Sequence, residues 1–162
     1  MAAAVFSESA VDSAIRGAAK KLGYMQLRNQ QVRAVKMFVQ GNDVFVSLPT
    51  GSGKSLCYCI LPATFDSLYG VDSLSIAVIV SPLISLMKDQ VRAMTQRGMR
   101  AVYVGDCSEE QRDMKVCRGN YQLVYMSPEA LLTDERWRDM LIKNYPKANM
   151  LVLGNGEGAF GL

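Results

Sequence analysis

The chain has 162 residues, 49% of them hydrophobic and 20% charged, which suits one globular domain with a buried core and excludes a low-complexity or collagen-like chain. Its formal charge of +3 is compatible with a nucleic-acid partner and does not by itself require one.

The N-terminal "MAAAVFSESA" lacks the basic start and long apolar core of a signal peptide. No apolar run reaches the roughly 20 residues of a membrane span, so an intracellular protein without a membrane partner is expected. A first helix is predicted from about Ser9 to Leu22, with Val11, Ile15, Ala18, Ala19 and Leu22 on one face, Ser7 or Ser9 as cap and Gly23 as stop. A second runs from about Arg28 to Gln40, with Val32, Val35, Met37 and Val39 only partly periodic. "DVFVSL", Asp43 to Leu48, reads as a buried strand, and "KSLCYCILPA" as the start of a helix. Further on, "SIAVIV" (75–80) is a strand, "LISLMKDQVRAMTQRG" a helix, "RAVYVG" a strand, "SEEQRDMKVCRG" a capped helix and "YQLVYM" a strand. A helix from Pro128 to about Lys143 and a strand "NMLVL", Asn149 to Leu153, complete the alternation; "GNGEGAFGL" has no evident structure of its own. Strands alternating with helices predict an α/β fold with a parallel sheet flanked by helices. Cys57, Cys59, Cys107 and Cys117 contain no C-x-x-C pair, which favours free thiols over a zinc site or a disulfide framework.

The stretch "SLPTGSGKSLCY" carries the chemistry. A strict phosphate-loop pattern asks for glycine where Leu48 stands. What remains is Thr50-Gly51-Ser52-Gly53-Lys54-Ser55 between a strand and a helix. Gly51 and Gly53 let successive N–H groups face a phosphate, Lys54 offers charge to β/γ oxygens, and the Ser55 hydroxyl can ligate magnesium. The bland alternative is a Gly/Ser turn that happens to carry a lysine. A second stretch, "SPLISLMKDQV", sits at the C-terminal end of a predicted strand, where open α/β sheets bind ligands. There Ser81 and Ser85 can donate to phosphates, and Lys88 adds charge. The alternative is that Pro82 starts a helix and Leu83, Leu86 and Val91 pack.

Together these stretches resemble the RecQ-like group of superfamily-two DEAD/DEAH-type DNA helicases. The resemblance extends to "LGYMQLRNQQ", similar to the motif that reads adenine, with Tyr24 as the aromatic, Arg28 as the arginine and Gln31 as the glutamine. A Gln amide can donate to and accept from an adenine edge, and an Arg plane can stack on its face. Asn29 stands where relatives usually have proline, and Gln30 is adjacent to Gln31. "LVYMSPEAL" resembles a later strand-end motif near the nucleic acid, which brings in Ser127 and Pro128. Ser108 with Gln111 makes a plain capping box, and Trp137 reads as a packing residue.

The resemblance implies a P-loop, RecA-like lobe over residues 23–153, preceded by a helical extension (1–22) and followed by a divergent tail (154–162). It implies ATP and Mg²⁺ as cofactors, a single-stranded or partly duplex DNA partner, a place in DNA repair and recombination, and a nuclear location in a eukaryote. The full helicase of this family unwinds DNA 3′ to 5′ with ATP hydrolysis. Where the family places an Asp-Glu-Ala-His motif after the last strand, this chain reads Gly154-Asn155-Gly156-Glu157. Hydrolysis depends on positioned carboxylates and on charge stabilisation, so a lobe that binds ATP with little turnover is expected, without a second lobe. Two other readings remain: a small P-loop nucleotide or metabolite kinase, and a non-catalytic interaction fragment.

Overall fold

The structure, a computed structural model, describes residues 5–49, 51–72, 75–106, 120–135, 137, 139, 150–154 and 159–160. Helix α1 spans Glu8–Lys21, capped by the Ser7 hydroxyl, which accepts from Ala10 N; Ser9 is not the cap. Its stripe of Val11, Ala14, Ile15, Ala18 and Ala19 is buried, as the 3.6-residue spacing predicts. At its end Gly23 takes φ +82°, and the amides of Gly23 and Tyr24 donate back to Lys20 O and Ala19 O. That pairing satisfies carbonyls that would otherwise be orphaned and needs a left-handed residue, which glycine supplies without strain.

Helix α2, Asn29–Val39, buries Gln31, Val35, Phe38 and Val39 and leaves Met37 exposed. Its core face is therefore set by Phe38 rather than Met37. Strand β1 is only Val44–Phe45, a correction to the buried strand expected over Asp43–Leu48. The phosphate-loop helix is likewise two helices, α3 (Lys54–Cys59) and α4 (Leu61–Tyr69), meeting at Ile60 with Pro62 in the first turn of α4. Proline lacks the N–H an uninterrupted helix would need there, so the chain restarts its helix instead. Strand β2 is Ile76–Val80, α5 is Ile84–Gln96, β3 is Ala101–Tyr103 followed by a 3₁₀ turn (Val104–Asp106), and β4 is Leu123–Met126. Helix α6 covers Pro128–Thr133, and β5 and β6 are Met150–Gly154 and Ala159–Phe160. The capped helix expected around Ser108 and Gln111, and most of the helix expected up to Lys143, lie outside the described residues.

The main sheet runs β3-β4-β2-β5, with every pairing parallel. Its register sets Ala77 beside Leu123, Leu123 beside Ala101, and Ile76 beside Met150. Alternation along β2 and β4 divides two buried clusters. Ala77, Ile79, Leu123 and Tyr125 face α1 to α5, through Ile15, Val35, Phe38, Cys57, Ile60, Phe65 and Met87. Ile76, Val78, Val124 and Met126 face the other side, with Val102, Val104 and Trp137. Each large aliphatic side chain removed from water there contributes about 1.5–3 kcal/mol. Because α1 shares the first cluster with α3, α4 and the sheet, it is packed into the same core as the helix that follows the glycine loop. Burial confirms Trp137 as a packing residue.

The tail departs from expectation. β6 pairs antiparallel with β1, Val44 beside Phe160 and Phe45 beside Ala159, in a separate two-stranded ribbon. A strand without a partner carries unpaired N–H and C=O groups, and a returning segment of chain satisfies them. No described helix is long and apolar enough to cross a membrane.

Candidate nucleotide and nucleic-acid sites

Three segments far apart in sequence meet around one cavity of about 410 Å³. Tyr24, Gln26 and Arg28 lead into α2 and Gln31 lies in its first turn; Gly51, Ser52 and Gly53 come from the loop and Ser55 from the start of α3; Gln90, Ala93 and Met94 come from α5. Gln31 is the hinge of this arrangement. Its Oε1 accepts from Arg28 N at 2.8 Å, and its Nε2 donates to Gly53 O at 3.0 Å. Only 4% exposed, it ties the start of α2 to the glycine loop with both ends of one amide. Reading a base would require Gln31 to exchange one of these bonds.

The loop explains its own composition. Gly51 and Gly53 have φ +81° and +77°, a region costly for residues with a Cβ. At Gly53 a Cβ would stand 2.5 Å from Gln31 Nε2, whereas at Gly51 nothing lies within 4 Å. Lys54 Nζ donates to Leu48 O at 2.8 Å, so at position 48 the loop uses a backbone carbonyl, which leucine offers as well as glycine. That lysine is parked on its own loop. Thr50, expected among the binding residues, lies outside the described residues.

Ser55 hydrogen-bonds Tyr58, whose hydroxyl donates to Gln90 Oε1 at 2.6 Å. The phosphate loop is thereby joined to the middle of α5, the helix that follows the second candidate segment. Burial pushes the Tyr58 phenol above its ordinary range and the Cys57 and Cys59 thiols up to about 11 and about 12. Both thiols are buried, free and neutral at ordinary pH, which makes them packing groups rather than nucleophiles.

In the Ser81–Lys88 segment, Pro82, Leu83, Ser85 and Lys88 are exposed at the end of β2. Ser81 is fully buried, and its hydroxyl accepts from Leu83 N at 3.2 Å. It holds the turn, while Ser85 and the neighbouring backbone occupy the surface. Lys88 Nζ lies over the Tyr103 ring, 5.6 Å from its centre. Of the residues in the packing alternative, Leu83 and Leu86 are 56% and 37% exposed, whereas Val91 packs against the core; Ile84 is exposed as well. Ser127 caps α6 through Ala130 N at 3.2 Å, with Pro128 as its first residue. Sequence reasoning missed Gln26, Leu56, Cys59, Gln90, Ala93 and Met94 as cavity residues. The spacing of Gln90 and Met94, one helical turn apart, was the available signal.

An all-parallel four-stranded sheet flanked by helices, with a glycine loop leading from β1 into α3, is the arrangement of a RecA-like lobe. The DEAD/DEAH box helicase family model matches residues 28–153, and the chain belongs to that family. The RecQ helicase of Haemophilus influenzae is 35% identical over 116 residues, spanning 69% of this chain and 17% of that protein. The helicase SGS1 of Saccharomyces cerevisiae is 38% identical over 124 residues (73% of this chain, 8% of that one), and the DNA helicase Q4 of Mus musculus 38% over 118 residues (71% and 9%). The chain therefore spans less than a fifth of these relatives. In fold it resembles the helicase MrfA bound to DNA and AMPPNP, with TM-score 0.64 and 23% identity over 92% of this chain and 21% of that one. The expected α/β lobe and RecQ-like membership are borne out.

Proposed function

We propose that this chain is the ATP- and DNA-binding first lobe of a RecQ-like helicase and that it turns over ATP little on its own. The convergence of Tyr24, Arg28 and Gln31 with Gly51, Ser52, Gly53 and Ser55 on one cavity, whose lining does not include Lys54, carries this reading. The loop suits a triphosphate: Gly51 and Gly53 give it two left-handed turns, and Lys54 has only a carbonyl to release. Nucleotide phosphates with Mg²⁺ supply the charge that Lys54 and the Ser55 hydroxyl meet. Tyr24 and Arg28 offer planes for the base, and Gln31 reads its edge. DNA lies along Pro82, Leu83, Ser85 and Lys88, extending to Ser127 and Pro128, with Ser81 holding the turn. The low turnover rests on "GNGE" standing where relatives carry two carboxylates. The nucleic-acid names and DNA-bound structure of its relatives favour this over a metabolite kinase.

The test is magnesium-dependent ATP binding and hydrolysis, with and without single-stranded DNA. Saturable ATP binding, a preference over GTP and negligible hydrolysis are expected. Robust turnover by the lobe alone overturns the inactive reading, and equal ATP and GTP affinity overturns the role of Gln31.

A further inference from the structure

Two helix ends meet beside the cavity. Tyr24 follows the glycine stop of α1, and Arg97 caps the C-terminal end of α5, where the amides of Gly98 and Met99 donate back to Thr95 and Met94. The Arg97 guanidinium donates to Leu22 O at 2.6 Å and lies over the Tyr24 ring, 4.4 Å from its centre. Gly23 leaves room for it: a Cβ there would stand 3.3 Å from the same guanidinium nitrogen. Tyr24 lines the cavity, Arg97 is not among its lining residues, and the guanidinium occupies one face of the Tyr24 ring.

We propose that Arg97 is a positioning residue for the nucleotide base, bracing Tyr24 from behind as the platform on which the base stacks. This rests on the nucleotide reading of the cavity and adds a residue to it. Two effects combine. The bond to Leu22 O fixes the backbone next to Tyr24, so less ring freedom is lost on binding. A cation on one face draws electron density from the ring and makes its other face a better partner for an electron-rich purine. A helix cap alone would satisfy Leu22 O and leave the base indifferent.

The experiment measures affinities of ATP and of inorganic tripolyphosphate, which has no base, by calorimetry on the parent, Arg97→Ala, Arg97→Gln, Arg97→Lys and Tyr24→Ala chains. Arg97→Gln keeps a donor for Leu22 O without the charge and guards against loss of folding. Arg97→Ala and Arg97→Gln are expected to weaken ATP by about two- to fivefold, the worth of an exposed cation–π contact. Tripolyphosphate affinity should stay unchanged, Arg97→Lys should recover part of the loss, and in a Tyr24→Ala background Arg97→Ala should have no further effect. ATP affinity equal to the parent in Arg97→Gln, or equal losses for ATP and tripolyphosphate, overturns the proposal and leaves Arg97 a helix cap. A parent chain that binds tripolyphosphate and ATP equally overturns it too, since no base is then read. A parent that binds neither overturns the nucleotide reading itself.

Discussion

The nucleotide cavity and the Ser81–Lys88 segment are built in opposite ways. The cavity draws on residues from Tyr24 to Met94, and its key amide, Gln31, is buried and bonded at both ends. The other segment is contiguous, is held at its start by the Leu83 amide donating to the Ser81 hydroxyl and the Ser81 amide donating to Met126 O, and exposes leucine, isoleucine and lysine to solvent. A phosphate cradle must hold several amides in one geometry, which takes tertiary bracing; a surface that follows a flexible strand needs only an accessible, positively charged edge. The two regions should therefore respond to mutation differently, the first sharply and the second in proportion to charge.

Lys54→Ala offers the largest test of that contrast. Loss of a charge-assisted contact to phosphate, on the order of 3 kcal/mol, should weaken ATP roughly a hundredfold or more, while DNA affinity changes little. Calorimetry showing unchanged ATP affinity would sink the loop assignment. Next come the two glycines, which share a left-handed conformation but not their surroundings. Alanine at either should cost about 1–2 kcal/mol of backbone strain. Gly53→Ala should cost more because it also displaces the Gln31 amide, and adding Gln31→Ala should recover part of that excess. Equal melting temperatures and ATP affinities for Gly51→Ala and Gly53→Ala would mean that Gln31 does not brace the loop.

On the other side of the comparison, Lys88→Ala should lower single-stranded DNA affinity mildly and reduce the salt slope by about 0.7, with ATP affinity retained. A slope identical to the parent's would remove Lys88 from the DNA path. The smallest effect is on pH dependence. Burial lifts Cys57 from 9.0 to about 11, so from about pH 9 upward the unfolded thiol ionises while the folded one keeps its proton. Stability should be flat below pH 9 and decline as pH rises towards 11. Lys36, held charged by its hydrogen bond to Asp12, has its pKa raised. Its contribution is present below 10.5 and lost as pH rises through its folded value, so it acts in the same direction. Denaturant midpoints at pH 8 and 10 check the sign, and a rise would contradict the buried placement of these thiols.

Legibility divides along the same line. The stripe Val11, Ile15, Ala18 and Ala19 and the apolar run Ile76–Val80 were readable because burial imposes a period on contiguous residues. The glycine loop was readable because its positive φ values leave little choice of residue. The short β1 and its pairing with Ala159–Phe160 were not, because a hydrogen-bond partner is chosen by geometry across the fold. The break at Ile60 had a signal in Pro62, which the apolar run obscured.

By itself the sequence determined the α/β alternation, the glycine loop and the likeness to RecQ-type helicases, since each depends on residue types at short, fixed spacings. Only the tertiary structure decided that Gln31 grips Gly53, that Tyr58 joins the loop to Gln90, and that Arg97 lies over Tyr24. Those contacts join residues 22, 32 and 73 positions apart (53 − 31, 90 − 58 and 97 − 24). No local preference selects such partners; they follow from how the helices that stop at Gly23 and Gly98 pack on one sheet.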